Sequence, residues 1–114
     1  LLVKIKSDAI QARVGSTVLP SDLMNDFLLL SAGVSKASGT KVIVYEFSSK
    51  IPSEIKVETS EGFGLIFKRT GDFANTFRAL KTILEQEIKD KRPQLEYIDL
   101  RFGNKIFYRF KNYL

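Results

Sequence analysis

Chemistry needs reactive side chains at workable spacing, and this 114-residue sequence contains neither a cysteine nor a histidine. Disulfides, Cys- or His-ligated zinc and iron, thiol nucleophiles and the Ser-His pair are therefore excluded. The carboxylates Glu54, Glu58 and Glu61 are scattered and make no case for a facing acid pair. Gly62-Phe63-Gly64 has the glycines of a phosphate-cradling loop but lacks the Lys-Ser/Thr that would follow, and it falls at a hairpin turn. Nothing assembles a nucleophile, a base and an orienting group, so the expectation is a protein that is not an enzyme and uses no cofactor or metal. The informative residues lie at the end of the chain: Asp99 and Arg101, the aromatic residues Phe102 and Phe107, and the rings and cations that interleave through Lys105-Ile106-Phe107-Tyr108-Arg109-Phe110-Lys111. Side chains of these types can either contact a partner or pack within the fold.

The elements that must position them are readable from periodicity. Leu95–Phe102 and Lys105–Phe110 are both rich in aromatic and β-branched residues, alternate with period two and flank a Gly103-Asn104 corner, which predicts a β-hairpin over 95–111. Alternation puts Ile98, Leu100 and Phe102 on one face and Tyr97, Asp99 and Arg101 on the other. On the second strand Ile106, Tyr108 and Phe110 oppose Phe107, Arg109 and Lys111. A lone hairpin is marginal in water, so its apolar face must rest on another element. The candidate is a helix over about 72–91, in which Phe73, Phe77, Leu80, Leu84 and Ile88 recur at intervals of three and four, Ile83 widens the stripe, and Arg78, Lys81, Glu85, Lys89 and Asp90 fall largely opposite. Thr70 or Asp72 caps its start and Pro93 is expected to close it.

Upstream, Leu1–Lys6 alternates as a short strand, and Ser7–Thr17 is a mixed stretch with a turn at Gly15. Pro20-Ser21-Asp22 opens a shorter helix, with Ser21 or Asp22 as its cap, which Ala32-Gly33 is expected to end at about residue 33; Ser35–Thr40 reads as a small, polar, flexible link. Lys41–Phe47 is apolar on both faces and reads as an interior strand. After a turn containing Pro52, Ile55, Val57 and Thr59 alternate with Glu54, Lys56 and Glu58, then Ser60-Glu61-Gly62 leads into Phe63, Leu65 and Phe67 as a second hairpin. The expected class is α+β: a mostly antiparallel sheet carrying one long and one shorter helix, in a single domain over residues 1–114. With 44% hydrophobic and 27% charged residues the chain has the composition of a folded protein. Its net charge of +5 permits nucleic acid, an anionic membrane surface or an acidic partner and selects none of them. No apolar run approaches the roughly 20 residues that span a bilayer. Because the sequence opens on Leu1, any membrane anchor or signal is expected to lie outside it, in a longer protein.

The segment from Ile55-Lys56-Val57 through Glu61-Gly62-Phe63, the helix from Asp72, and above all Tyr97-Ile98-Asp99-Leu100-Arg101-Phe102 resemble the C-terminal part of the extracytoplasmic β domain of the FtsQ/DivIB family of bacterial cell-division proteins. The resemblance covers about Ser53 to Lys111. It implies a non-catalytic scaffold, anchored in the bacterial membrane with this domain outside at the septum, that binds FtsB/DivIC and FtsL and so helps to control septal peptidoglycan synthesis. It also implies the manner of binding: a partner segment adds a strand to an exposed edge of the terminal hairpin. By the same resemblance Arg101 corresponds to the family's strand arginine, Phe102 to an aromatic residue that is usually tyrosine, and Asn104 to a small polar turn residue. Phe107 and Arg109 complete the expected partner-contact set.

Each of these residues also has a plainer reading. Asp99 and Arg101 make either a solvated pair or a contact with a neighbouring strand, or else Arg101 awaits a partner's carboxylate. Phe102 is either core or interface, and Phe107, an aromatic on the charged face, is either interface or same-face packing. Two other functions fit the sequence: a basic sheet that stacks single-stranded nucleic acid on the aromatic residues of the last strand, and a module that pairs with its own copies along an open edge.

Overall fold

A computed structural model describes residues 2–5, 10–13, 21–48 and 50–112. The elements are β1 (Leu2–Ile5), β2 (Ile10–Arg13), α1 (Ser21–Ser38), β3 (Val42–Phe47), β4 (Glu54–Thr59), β5 (Gly64–Lys68), α2 (Phe73–Ile83), β6 (Leu95–Phe102) and β7 (Lys105–Phe110). The strands form one sheet in the order β2-β1-β3-β4-β5-β6-β7. Neighbours are antiparallel except at β1/β3 and β5/β6, which are parallel. The class is α+β, as expected. Strand β2 lies inside Ser7–Thr17, the stretch expected to be a mixed segment, and pairs antiparallel with β1. The expected turn at Gly15 and the helix opening at Pro20 lie outside the described residues.

Both helices cover one face of the sheet. From α1, Leu23, Phe27, Leu30 and Val34 are buried at helical spacing; from α2 and its continuation, Leu80, Ile83, Leu84 and Ile88 are buried. They close over Tyr45, Ile55, Val57, Leu65, Phe67 and Ile98. Each large apolar side chain fully withdrawn from water contributes about 1.5–3 kcal/mol, so this layer is the main source of stability. The Tyr45 ring stacks on Phe27 at 4.5 Å between centroids, and its hydroxyl donates to the Phe27 carbonyl at 2.6 Å. Burial raises the Tyr45 pKa, opposed by a hydrogen bond with Ser31.

Two helix boundaries differ from expectation. Helix α1 does not stop at Gly33 but runs on to Ser38, through most of the segment read as a link. The residue that ends it is Gly39, whose φ of 75° suits a left-handed cap and whose N–H donates to the Ser35 carbonyl at 2.9 Å. Gly33 serves a long-range contact instead: a Cβ built there would overlap the ring of Phe77 on α2. Helix α2 starts as expected, with the Asp72 carboxylate accepting from the Asn75 N–H at 3.2 Å. Past Ile83 it widens into a π-helical turn over Leu84–Ile88, breaks at Lys89, where φ is 52°, and tightens into a 3₁₀ segment over Lys89–Gln94. Pro93 lies inside that last segment, so the regular helix ends earlier, at the Lys89 break.

Arginines tie the layers together. Arg69, just past β5, donates to Asp26 at 2.7 Å and to Asp22 at 3.4 Å on α1. Arg92 pairs with Glu61 in the β4–β5 turn and donates to the Ser38 carbonyl at 2.7 Å. Among the described residues no helix is long and apolar enough to cross a membrane.

The Gly33–Phe77 contact gives a test. Replacing Gly33 by alanine gains about 1 kcal/mol of helix propensity, but the Phe77 ring cannot retreat freely because it packs edge-on against Phe67 at 6.0 Å. Overpacking costs about 1–3 kcal/mol. Gly33→Ala is therefore expected to lower stability in urea unfolding, and in a Phe77→Leu background the loss should shrink or reverse.

Candidate docking edge

Strand β7 is the last strand of the sheet, and among the described residues nothing pairs with its outer side. Strands β1 and β2 lie at the opposite end, against β3, so Leu2–Ile5 does not cover β7. Which backbone groups face outward follows from the register. The Lys111 N–H donates to the Gln94 carbonyl at 2.6 Å, while Phe110 stands opposite Leu95. In an antiparallel ladder that arrangement marks Phe110 and Leu95 as a non-hydrogen-bonded pair, and alternation then turns the N–H and C=O groups of Ile106, Tyr108 and Phe110 away from β6. Three residues of a six-residue strand thus present backbone donors and acceptors to whatever lies alongside.

The register also corrects the expected facing of Phe102. Leu95 pairs with Phe110 but Tyr97 with Arg109, and Asp99 pairs with Phe107 but Phe102 with Lys105. At both places β6 advances one residue more than β7, which is a β-bulge. The bulge between Asp99 and Phe102 reverses the alternation, so Phe102 leaves the face of Ile98 and Leu100 and joins Asp99 and Phe107 on the face without helices. There it is 51% exposed, and Phe107 is 54% exposed. The two rings meet edge to face with centroids 5.7 Å apart, and the Arg101 guanidinium lies 5.0 Å over the Phe102 ring.

Arg101 is held within the protein. Its Nε and Nη2 donate to the two oxygens of Asp99 at 2.8 and 2.5 Å, and its Nη1 reaches across β5 to Glu54 on β4 at 2.6 Å. The plainer of the two readings, contact with a neighbouring strand, describes these bonds; three of the five guanidinium N–H groups are used by them. Burial by itself would raise the Asp99 carboxyl, but hydrogen bonds from the Arg101 side chain and backbone N–H, with the cation's charge, outweigh it and hold the carboxyl below its ordinary value. The hydrogen bond to Asp99 raises Arg101 in turn, against burial.

Of the expected contact residues, Arg101, Phe102 and Phe107 form one cluster. Arg109 lies on the same open face, 3.2 Å from Glu96. Asn104 sits at the exposed turn beside Gly103, whose φ is 64°, and borders the helix side near Ile83 and Ile106. Two participants carried no local signal in the sequence. Glu54 meets Arg101 only because β4 and β6 flank β5, and Tyr108 matters for the direction of its backbone rather than for its ring. No protein-family model matches the chain, and no curated protein matches it in sequence.

The Asp99–Arg101 pair has a pH signature. The folded carboxyl titrates below the unfolded one, so its contribution is present above about pH 4 and is lost as pH falls through that value toward the folded one. Asp99→Asn is expected to cost roughly 1.5–3 kcal/mol at pH 7 by urea denaturation, the strength of a hydrogen bond to a charged group. The gap to wild type should close below about pH 4.

Proposed function

We propose that the chain is a non-catalytic docking module that accepts a strand from a partner protein along β7. The proposal follows the FtsQ/DivIB resemblance: a scaffold domain on the outer side of a bacterial membrane, at the septum, that binds FtsB/DivIC- and FtsL-type proteins. The observation that carries it is the outer side of β7, unpaired among the described residues, with the backbone groups of Ile106, Tyr108 and Phe110 turned outward. Backbone pairing supplies affinity in strand addition, and side chains at alternate positions set register. The exposed Phe102–Phe107 pair stands beside that border and offers an incoming strand a ring to pack on. Arg101 fixes the Phe102 ring, and its remaining N–H groups are left for a carboxylate on the partner. Asn104 and Arg109 stand at either end of the strand's exposed border.

The test uses the direction of the Tyr108 N–H. Proline at 108 removes a donor that β6 does not use, a place where an edge strand tolerates it. Tyr108→Pro is expected to keep its circular dichroism and melt near wild type while binding the extracytoplasmic segment of an FtsB/DivIC-type partner at least about tenfold more weakly in calorimetry, a change of ~1.4 kcal/mol. Phe107→Ala should weaken binding as well. Unchanged affinity in Tyr108→Pro would show that the partner docks elsewhere.

A further inference from the structure

Helices α1 and α2 run side by side in the same direction: Asp22 and Asp26 meet Arg69 just ahead of α2, and Gly33 meets Phe77 further along. Between their outer sides lies a groove of about 380 Å³. Half-buried Gly33 and Ala37 of α1 and Phe77 of α2 line its floor, and exposed Ala74 stands at its rim; Lys36 borders it from α1, Arg78 and Lys81 from α2. The floor is hollow because Gly33 and Ala37 are small. Leu29, one turn before Gly33 and on the same flank of α1, is 57% exposed and extends the apolar strip.

Three cations line the groove and no acidic residue does. Among the arginines whose side chains are described, Arg69, Arg92, Arg101 and Arg109 each pair with a carboxylate and Arg78 does not. Lys36 and Lys81, like the other described lysines, are in no ion pair among the described residues. Lys36 is favoured at the end of α1 by the helix dipole. The same reason reaches Lys81, in the last turn of α2, but not Arg78 one turn earlier.

We propose that this groove docks an acidic amphipathic helix of a partner protein. One bulky apolar side chain of that helix seats on Phe77 between the small residues, and its flanking carboxylates meet Lys36, Arg78 and Lys81. A helix fits because two parallel helices make a trough for a third, and the strip from Leu29 to Ala37 is about 12 Å long, two helical turns. An added strand does not fit, because the backbone groups here are spent within α1 and α2. A flat membrane surface would meet the cations but leave the recessed floor empty. The groove is on the helical side of the sheet, away from Phe102 and Phe107, so the inference is independent of docking at β7.

The experiment pans a displayed library of amphipathic helical peptides against the whole chain. Enriched sequences are expected to carry Asp or Glu around a single Leu, Phe or Trp. Their affinity should fall at least tenfold in Arg78→Glu/Lys81→Glu and also in Ala74→Trp, which fills the groove from an exposed position without changing charge. Circular dichroism checks that both variants fold. No enrichment above background, or enriched peptides that bind the charge-reversed variant as well as wild type, overturns the proposal. So does sedimentation with phosphatidylglycerol vesicles that depends on the three cations while peptides fail, since a membrane surface would then be the occupant.

Discussion

The free end of the sheet is governed by a difference in count. Strand β6 uses the eight residues Leu95–Phe102 to travel alongside the six residues Lys105–Phe110 of β7. The two surplus residues are absorbed as bulges, and an odd number of them between Asp99 and Phe102 exchanges the faces. Without the second bulge Phe102 would point at the helices, where Ile98 and Leu100 already fill the space. With it, a large apolar ring is placed in solvent beside Phe107 and next to Arg101, which plain alternation already puts on the face of Asp99 and Glu54. The aromatic pair is the result of this register, and it stands beside a strand that nothing among the described residues pairs with on its outer side.

A second constraint explains why both helices lie on the same face of the sheet, leaving the other without a helix among the described residues. Parallel neighbours cannot be joined by a tight turn, and a helix lies in the connection at both parallel contacts here, β5 to β6 through α2, and β1 to β3 through β2 and then α1. Both crossovers step in the same direction across the sheet. Crossovers with the same preferred hand and the same step direction lie on the same face. The helices are therefore brought together, close enough for Gly33 to touch Phe77, and the opposite face carries Lys56 and Phe107 in water, with Glu54 and Arg101 half-buried around the buried Asp99.

What the sequence reveals and what it hides divide along the same lines. The buried stripe of α2, the interior strand at Val42–Phe47 and both hairpins are written in local periodicity, and each forms where that pattern lies. Gly33 and Gly39 look alike locally, and only the contact with Phe77 distinguishes a packing glycine from a terminating one. The facing of Phe102 is equally hidden from its own strand: it is a property of the β6/β7 pair, and alternation within Leu95–Phe102 gives the opposite answer. The bond from Arg101 to Glu54 joins residues on strands that do not touch, so spacing along the chain carries no trace of it.

A sheet border able to welcome a stranger must also refuse its twin. If two copies met along β7 in a two-fold antiparallel fashion centred on Phe107, Lys105 of each would stand opposite Arg109 of the other, and cations directly across a ladder repel. In that register the pairing of two copies is penalised by their own basic side chains, so the spacing of two cations along one strand bears on how this chain meets itself.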